Sequence, residues 1–321
     1  MHERMAQDGY LFIRGLLAKD QVTDVRRQML QILADNKMVR CDRPLDQAVP
    51  DLEHFAVEPQ PAFMKVLYAQ YALEDLNAIL HAPQITDVVD AICGEPSIPL
   101  PLFVARNIFP ARDAYTTPAH QDFVHFQGTT RNYAAWIPMG DCPADMGGLA
   151  IASGSHRLGL LDVRPALGAG ALEVAYDDEL DWTYSELEAG DVLFHNCLTV
   201  HRGVPNRSTS MRLSIDCRFQ PLSEPMCAQS LRPHRDMVDW EDLYRGWSRD
   251  DLKYYWKKHD LKIVPFDWSH YERRDALAFV MAEEGDRRAL STLQRILSND
   301  PDPEKRERAR TALEKIEAQA S

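Results

Sequence analysis

The chain has 321 residues, 45% of them hydrophobic, and a formal net charge of −13. That apolar content supports a sizeable core, while the acidic balance argues against a general nucleic-acid binder, which needs a basic face for phosphates. No apolar run reaches the roughly 18 residues of a membrane span, the opening MHERMAQDGY lacks an apolar h-region, and six scattered cysteines without a CxxC read as reduced thiols of a cytoplasmic protein.

In chain order, residues 1–8 read as a helix and Tyr10 to Arg14 as a short strand. Asp20 is placed to cap a helix over 20–35, where Val22, Val25, Met29, Ile32 and Leu33 recur at helical spacing. Residues 40–62 are Pro-rich and read as a surface loop. Helices are expected over 63–80 and 84–93. From Ile98 to Phe219 the texture changes to short strands with turn residues between them, the pattern of an antiparallel sandwich or jelly roll. Within it, 158–184 is long and rich in Gly and acidic residues, a lid or a surface excursion. From 234 onward the chain reads as helical, with segments over 271–284, 286–298 and 303–318, the last opened by Asp302-Pro303. The expected division is a mainly β domain with N-terminal helices, 1–232, and a C-terminal helical extension, 233–321, that packs on the core or makes a dimer contact.

A three-part signal points to chemistry. His120-Gln121-Asp122 is followed by His201 in GDVLFHNCLTVHRG and by Arg212 in MRLSIDCRF. Two imidazoles and a carboxylate make the facial triad of non-haem Fe(II) with open coordination positions. An arginine on a strand nearby suits the far carboxylate of a dicarboxylate co-substrate. A second triplet, His234-Arg235-Asp236, opens charged sequence with no later histidine followed by a strand-borne arginine. Residues after His120-Gln121-Asp122 read as strands, so His120 and Asp122 are expected on one face of a strand end and His125 on the opposite face. His195 shares the parity of His201 and is its rival as distal ligand. Along MRLSIDCRF, period two puts Arg212 and Ser214 on one face and Leu213 on the other.

At this point the residues carry a resemblance. DGYLFIRGLLAKDQVTDVRRQM, TTPAHQD, DMGGLAIASGSHRLG and EAGDVLFHNCLTVHRGVPNRSTSMRLSIDCRFQP, spanning roughly residues 8–221, resemble four ordered blocks of the phytanoyl-CoA dioxygenase family of Fe(II)/2-oxoglutarate oxygenases. Met146 stands where that family has Asn, and Ser153 where it has Pro. The resemblance implies a double-stranded β-helix (jelly-roll, cupin-like) core, with Fe(II), 2-oxoglutarate and O2 as cofactor and co-substrates. It implies metal ligation by His120, Asp122 and His201, with Arg212 on the 2-oxoglutarate C5 carboxylate. Gln121 and Trp136, and one of Arg106 and Asn107, are implied near the co-substrate. A carboxylate at Asp122 favours hydroxylation over halogenation, which needs that position for chloride.

The expected partner is a small-molecule substrate, a metabolite or natural-product intermediate, with no nucleic acid or membrane. Phe103, Phe123, Arg131, Trp182, Phe194 and Arg218 are candidate pocket residues, and a homo-oligomer through the C-terminal helices is a further expectation. Two alternatives stand beside this reading. A non-redox cupin-type isomerase or hydrolase commonly uses more histidines and leaves Arg212 unexplained. A non-catalytic jelly-roll binding protein leaves the intact triad unexplained.

Overall fold

The structure, a computed structural model, describes residues 1–319 apart from 59, 177 and 234–237. The triplet His234-Arg235-Asp236 lies outside the described residues. The chain begins with helix α1 (His2–Asp8), strand β1 (Tyr10–Ile13) and helix α2 (Lys19–Asp35). α2 presents Val22, Val25, Met29, Leu30 and Leu33 to the core. Its N-cap is Ala18 in extended conformation without a side-chain cap; Asp20 lies inside the first turn and accepts from Gln21 N instead. Three helices follow, α3 (Pro61–Tyr71), α4 (Glu74–Leu80) and α5 (Pro83–Cys93). The helix expected over 63–80 is therefore two, broken at Ala72-Leu73, and α5 starts on a proline whose missing N–H has no intrahelical partner to lose.

The strands come next: β2 (Ser97–Pro99), β3 (Val104–Ile108), then the single turn α6 (Phe123–Phe126), β4 (Tyr133–Pro138), β5 (Leu149–Ala152), β6 (Val163–Pro165), β7 (Leu172–Val174), β8 (Trp182–Thr183), β9 (Val192–Asn196), β10 (His201–Gly203), β11 (Arg212–Pro221) and β12 (Met226–Cys227). Between β12 and residue 268 the described chain holds only two 3-10 turns (Ala228–Leu231 and Tyr255–Lys258), the short α7 (Trp240–Leu243) and β13 (Ile263–Val264), not the continuous helical texture expected from residue 234. α8 (Ser269–Glu283), α9 (Leu290–Asn299) and α10 (Pro303–Gln319) complete the chain.

A six-stranded antiparallel sheet runs β1-β9-β4-β11-β2, with β3 also on β11. A three-stranded sheet, β10-β5-β8, packs on it through Trp136, Leu149, Ile151, Leu187 and Leu193. The long strand β11 sorts its side chains by parity. Leu213, Ile215, Cys217 and Phe219 enter the main core with the helices, whereas Arg212, Ser214, Asp216 and Arg218 point to the other face. In-register partners share a face, so Arg106 of β3 (opposite Ser214) and Trp136 of β4 (opposite Asp216) lie on the polar side.

Asn107 faces the opposite way and exchanges two amide hydrogen bonds with Gln70 of α3, at 3.0 and 2.8 Å. Leu243, Tyr244, Trp247 and Trp256 belong to the main core. α8, α9 and α10 form a second cluster of their own, built on Phe279, Leu293, Ile296 and Ile316. No helix among the described residues is long and apolar enough to cross a membrane.

The Asn107–Gln70 pair is fully enclosed. Asn107→Ala leaves a buried carboxamide unpaired, an expected cost of about 1–3 kcal/mol in urea unfolding, with 2-oxoglutarate affinity unchanged. A neutral substitution would show that the amide pair does not contribute to stability.

Candidate metal centre

His120 and His201 are brought together by main chain. His120 N donates to His201 O at 2.9 Å and His201 N to His120 O at 3.0 Å, an isolated antiparallel bridge that continues the start of β10. Each Nδ1 sits on the carbonyl two residues earlier, Pro118 O at 2.8 Å and Thr199 O at 3.0 Å. A carbonyl only accepts, so Nδ1 carries the proton in both rings and Nε2 keeps its lone pair. Both Nε2 atoms lie 3.8 Å from Asp122 Oδ1. One ligand atom from each of the three groups falls within 4.8 Å of the others.

The sequence pattern placed His120 and Asp122 on one face of a strand; the structure reaches the same convergence differently. Asp122 is in the right-handed helical region (φ −66°, ψ −26°) and opens α6, so the residues after it do not continue a strand. The turn swings His125 toward the site rather than away, with its ring 5.9 Å from that of His120.

Asp122 is 1% exposed. Its carboxylate accepts from Arg218, Nε at 3.1 Å to Oδ2 and Nη2 at 2.8 Å to Oδ1. Burial alone would raise this carboxyl, but the Arg218 guanidinium and the surrounding imidazoles hold it well below the usual carboxylate range. Arg218 is itself buttressed by Asp216, Nη1 to Oδ1 at 3.0 Å, and lies over the Phe126 ring at 4.1 Å. Sequence reasoning named Arg218 only as a pocket candidate. The parity that turned Arg212 and Ser214 inward also turns Arg218 inward, and that was the available signal.

Arg212 is 4% exposed. Its Nη1 donates to Gly147 O at 2.7 Å and Gly148 O at 2.8 Å, and its Nε is buried without a partner. No carboxylate pairs with it among the described residues. Burial lowers its pKa to about 10, so it remains a cation at neutral pH. The turn that receives it requires glycine: Gly147 has φ +68°, and a Cβ there would collide with the Val204 carbonyl. The Trp136 ring centroid is 5.8 Å from the Arg212 guanidinium carbon.

Other candidates separate cleanly. Gln121 is buried but its carboxamide is wholly engaged by main chain, donating to Gly159 O and Leu198 O and accepting from Leu161 N. His195 packs its ring 4.2 Å from that of His201, outside the three-residue cluster. Arg106 is on the site face and Asn107 on the helix face. Phe103 and Phe194 are in the main core, and Arg131 is bound to Glu95 and Glu224 away from the cluster. A cavity of about 370 Å³ opens between β1 and β8, lined by Phe12, Leu149, Ile151 and Leu193 but by none of the three clustered groups.

The donor chemistry fits a non-haem iron: two neutral imidazoles, one ionised carboxylate, and an unpaired buried cation on the same face. The model of the phytanoyl-CoA dioxygenase family matches residues 5–214. A 1-deoxypentalenic acid 11-beta-hydroxylase from Streptomyces arenae is 28% identical over 246 residues, covering 71% of this chain and 82% of that protein. A methylphosphonate hydroxylase from Gimesia maris is 24% identical, covering 69% and 80%.

Among solved structures, the epimerase SnoN, in complex with Fe3+, alpha ketoglutarate and nogalamycin RO, aligns with TM-score 0.51 at 21% identity, over 70% of this chain and 84% of that one. The apo non-haem monooxygenase ThoJ aligns with TM-score 0.52 at 16% identity over 98% of both. At such identities these two speak for the fold. The chain is an oxygenase dependent on Fe(II) and 2-oxoglutarate. It belongs to the phytanoyl-CoA dioxygenase family.

Two measurements probe the site. Burial lowers His120, His125 and His201 to about 3 and His195 to about 4, from an ordinary 6.5. The unfolded chain takes up these protons below about pH 6.5 while the folded chain does not, so stability is lost as pH falls. The urea midpoint of the metal-free protein is expected to drop between about pH 7.5 and about pH 5.5; a flat profile contradicts buried neutral imidazoles. Arg218→Met leaves Asp122 buried and unpaired, and Co(II) titration is expected to show affinity weakened about ten- to a hundredfold. Unchanged affinity would mean that Arg218 does not position the carboxylate.

Proposed function

We propose that His120, Asp122 and His201 hold Fe(II), that Arg212 pairs with the C5 carboxylate of 2-oxoglutarate, and that the chain hydroxylates a C–H bond of a small metabolite or natural-product intermediate. The observation that carries this reading is Arg212, a buried cation on the same face of β11 as Arg218, with an unpartnered Nε and no carboxylate of its own among the described residues. A cupin-type isomerase or hydrolase gives no reason to bury it. The small-molecule substrates named for the hydroxylases above favour a substrate of similar size. The six- and three-stranded sheets that enclose Trp136, Leu149 and Ile151 are read as the two halves of a double-stranded β-helix.

Iron and 2-oxoglutarate, when bound, supply the oxidising power for oxygen insertion from O2, with succinate and CO2 as co-products. The chain's own residues prepare the site. Pro118 O and Thr199 O fix the imidazole tautomers, so metal binding near neutral pH displaces no imidazole proton. Arg218 keeps Asp122 ionised and fixes its plane. The Gly147 and Gly148 carbonyls fix one edge of Arg212 and leave Nε for the co-substrate. Trp136 and Leu193 shield that interaction from water.

Anaerobic addition of Fe(II) and 2-oxoglutarate to the metal-free protein is expected to give the visible charge-transfer band of the chelate. His201→Ala abolishes it, and Arg212→Gln raises the 2-oxoglutarate requirement about tenfold or more. A folded, metal-loaded protein without the band would sink this reading.

A further inference from the structure

The region matched by the family ends at residue 214, yet residues far beyond it contact His125 and Glu58 beside the site. Tyr271 of α8 places its hydroxyl 2.6 Å from His125 Nδ1. The Thr292 hydroxyl of α9 donates to Ala171 O at 2.9 Å, next to Gly170, where an added Cβ would lie 3.4 Å from the His125 ring. One turn further along α9, Arg295 is 9% exposed, and its Nη1 meets Glu58 Oε1 at 3.3 Å. The other oxygen of Glu58 receives Arg106 Nη1, also at 3.3 Å. Arg106 stands on the site face of β3, close enough for its charge to act on both His120 and His125.

Two features of this row are unusual. First, the Nε and Nη2 atoms of Arg295 are buried without a hydrogen-bond partner. Together they form the side-on edge of the guanidinium, which matches a carboxylate in bidentate fashion. Leaving both donors unmade is costly in a protein interior. Second, among the described residues the row sets two guanidiniums, Arg106 and Arg295, on the one carboxylate of Glu58.

We propose that Arg295, brought to the mouth by the C-terminal helices and flanked across Glu58 by Arg106, recognises the carboxylate of a monoanionic small-molecule substrate. This rests on the oxygenase reading above and adds the substrate's chemical class. The C-terminal helices then form part of the substrate pocket, and the reaction is hydroxylation of the acid at a C–H bond remote from its carboxylate, which is held away from the metal.

The test is equilibrium binding to the full chain, anaerobic, loaded with Fe(II) and saturating 2-oxoglutarate so that Arg212 is already occupied. The probes are 1-deoxypentalenic acid, cyclohexanecarboxylic acid and decanoic acid, each against its primary amide. Wild type is expected to bind at least one acid about tenfold or more tightly than its amide, and Arg295→Gln to erase the preference. Glu58→Gln separates recognition from mere anchoring. It removes the competing carboxylate, so acid affinity rises if Arg295 and Arg106 receive the ligand. If the row only ties α9 to the core, Arg295→Gln and Glu58→Gln weaken binding alike.

Equal affinity for acid and amide, no binding of any acid, or an unchanged Arg295→Gln overturns the proposal, as does parallel weakening by both variants. The charge-transfer band recorded in the same samples keeps the two readings apart. Its absence sinks the oxygenase site, whereas its presence without an acid preference sinks only the role of Arg295.

Discussion

The site depends on one buried ion pair, Arg218 with Asp122. An isolated carboxylate in this interior would take up a proton rather than stay charged, because the desolvation penalty of an ion amounts to several kcal/mol. A protonated Asp122 would be a poor metal ligand. Arg218 offsets the penalty through both oxygens of the carboxylate, and Asp216 and Phe126 hold the guanidinium in place. The imidazoles show the complementary solution: burial keeps them neutral, and a backbone carbonyl on each Nδ1 decides which nitrogen faces the metal.

β11 organises these charges. It carries Arg212 near one end and Arg218 near the other on the same face, about 20 Å apart along the strand. One cation pairs with Asp122, and the other has no carboxylate partner among the described residues. Because the opposite face of β11 lies in the main core through Ile215, Cys217 and Phe219, the strand cannot slip by one residue without exchanging its charged and apolar faces. Packing against the helices thereby fixes the spacing of the two arginines.

The C-terminal helices lie beyond the region that the family model matches. α8 to α10 have their own small core, yet Tyr271, Thr292 and Arg295 leave it to reach His125, Ala171 and Glu58. These contacts tie the appended helices to the segments around the histidine cluster. Such contacts join residues far apart in the chain, and no periodicity or motif spacing announces them.

The sequence by itself determined the order of a helical N-terminal part, a strand-rich middle and helices at the end, and it marked the His120, Asp122 and His201 donor set. The cluster of His120, Asp122 and His201 is legible because metal chemistry restricts residue types and ordered spacing restricts candidates. Parity along β11 was legible because a strand alternates with period two, and it extends to Arg218. Three things were not. The helical turn at Asp122 runs through Phe123, Val124 and Phe126, apolar residues that by themselves read as strand. The choice between Arg106 and Asn107 turned on a partner, Gln70, from a distant helix. The ion row from Arg106 through Glu58 to Arg295 joins three separate segments. Local propensity and spacing constrain what a residue is suited to do; only packing decides which charge it must meet, because desolvation and Coulomb energies depend on neighbours in space rather than in sequence.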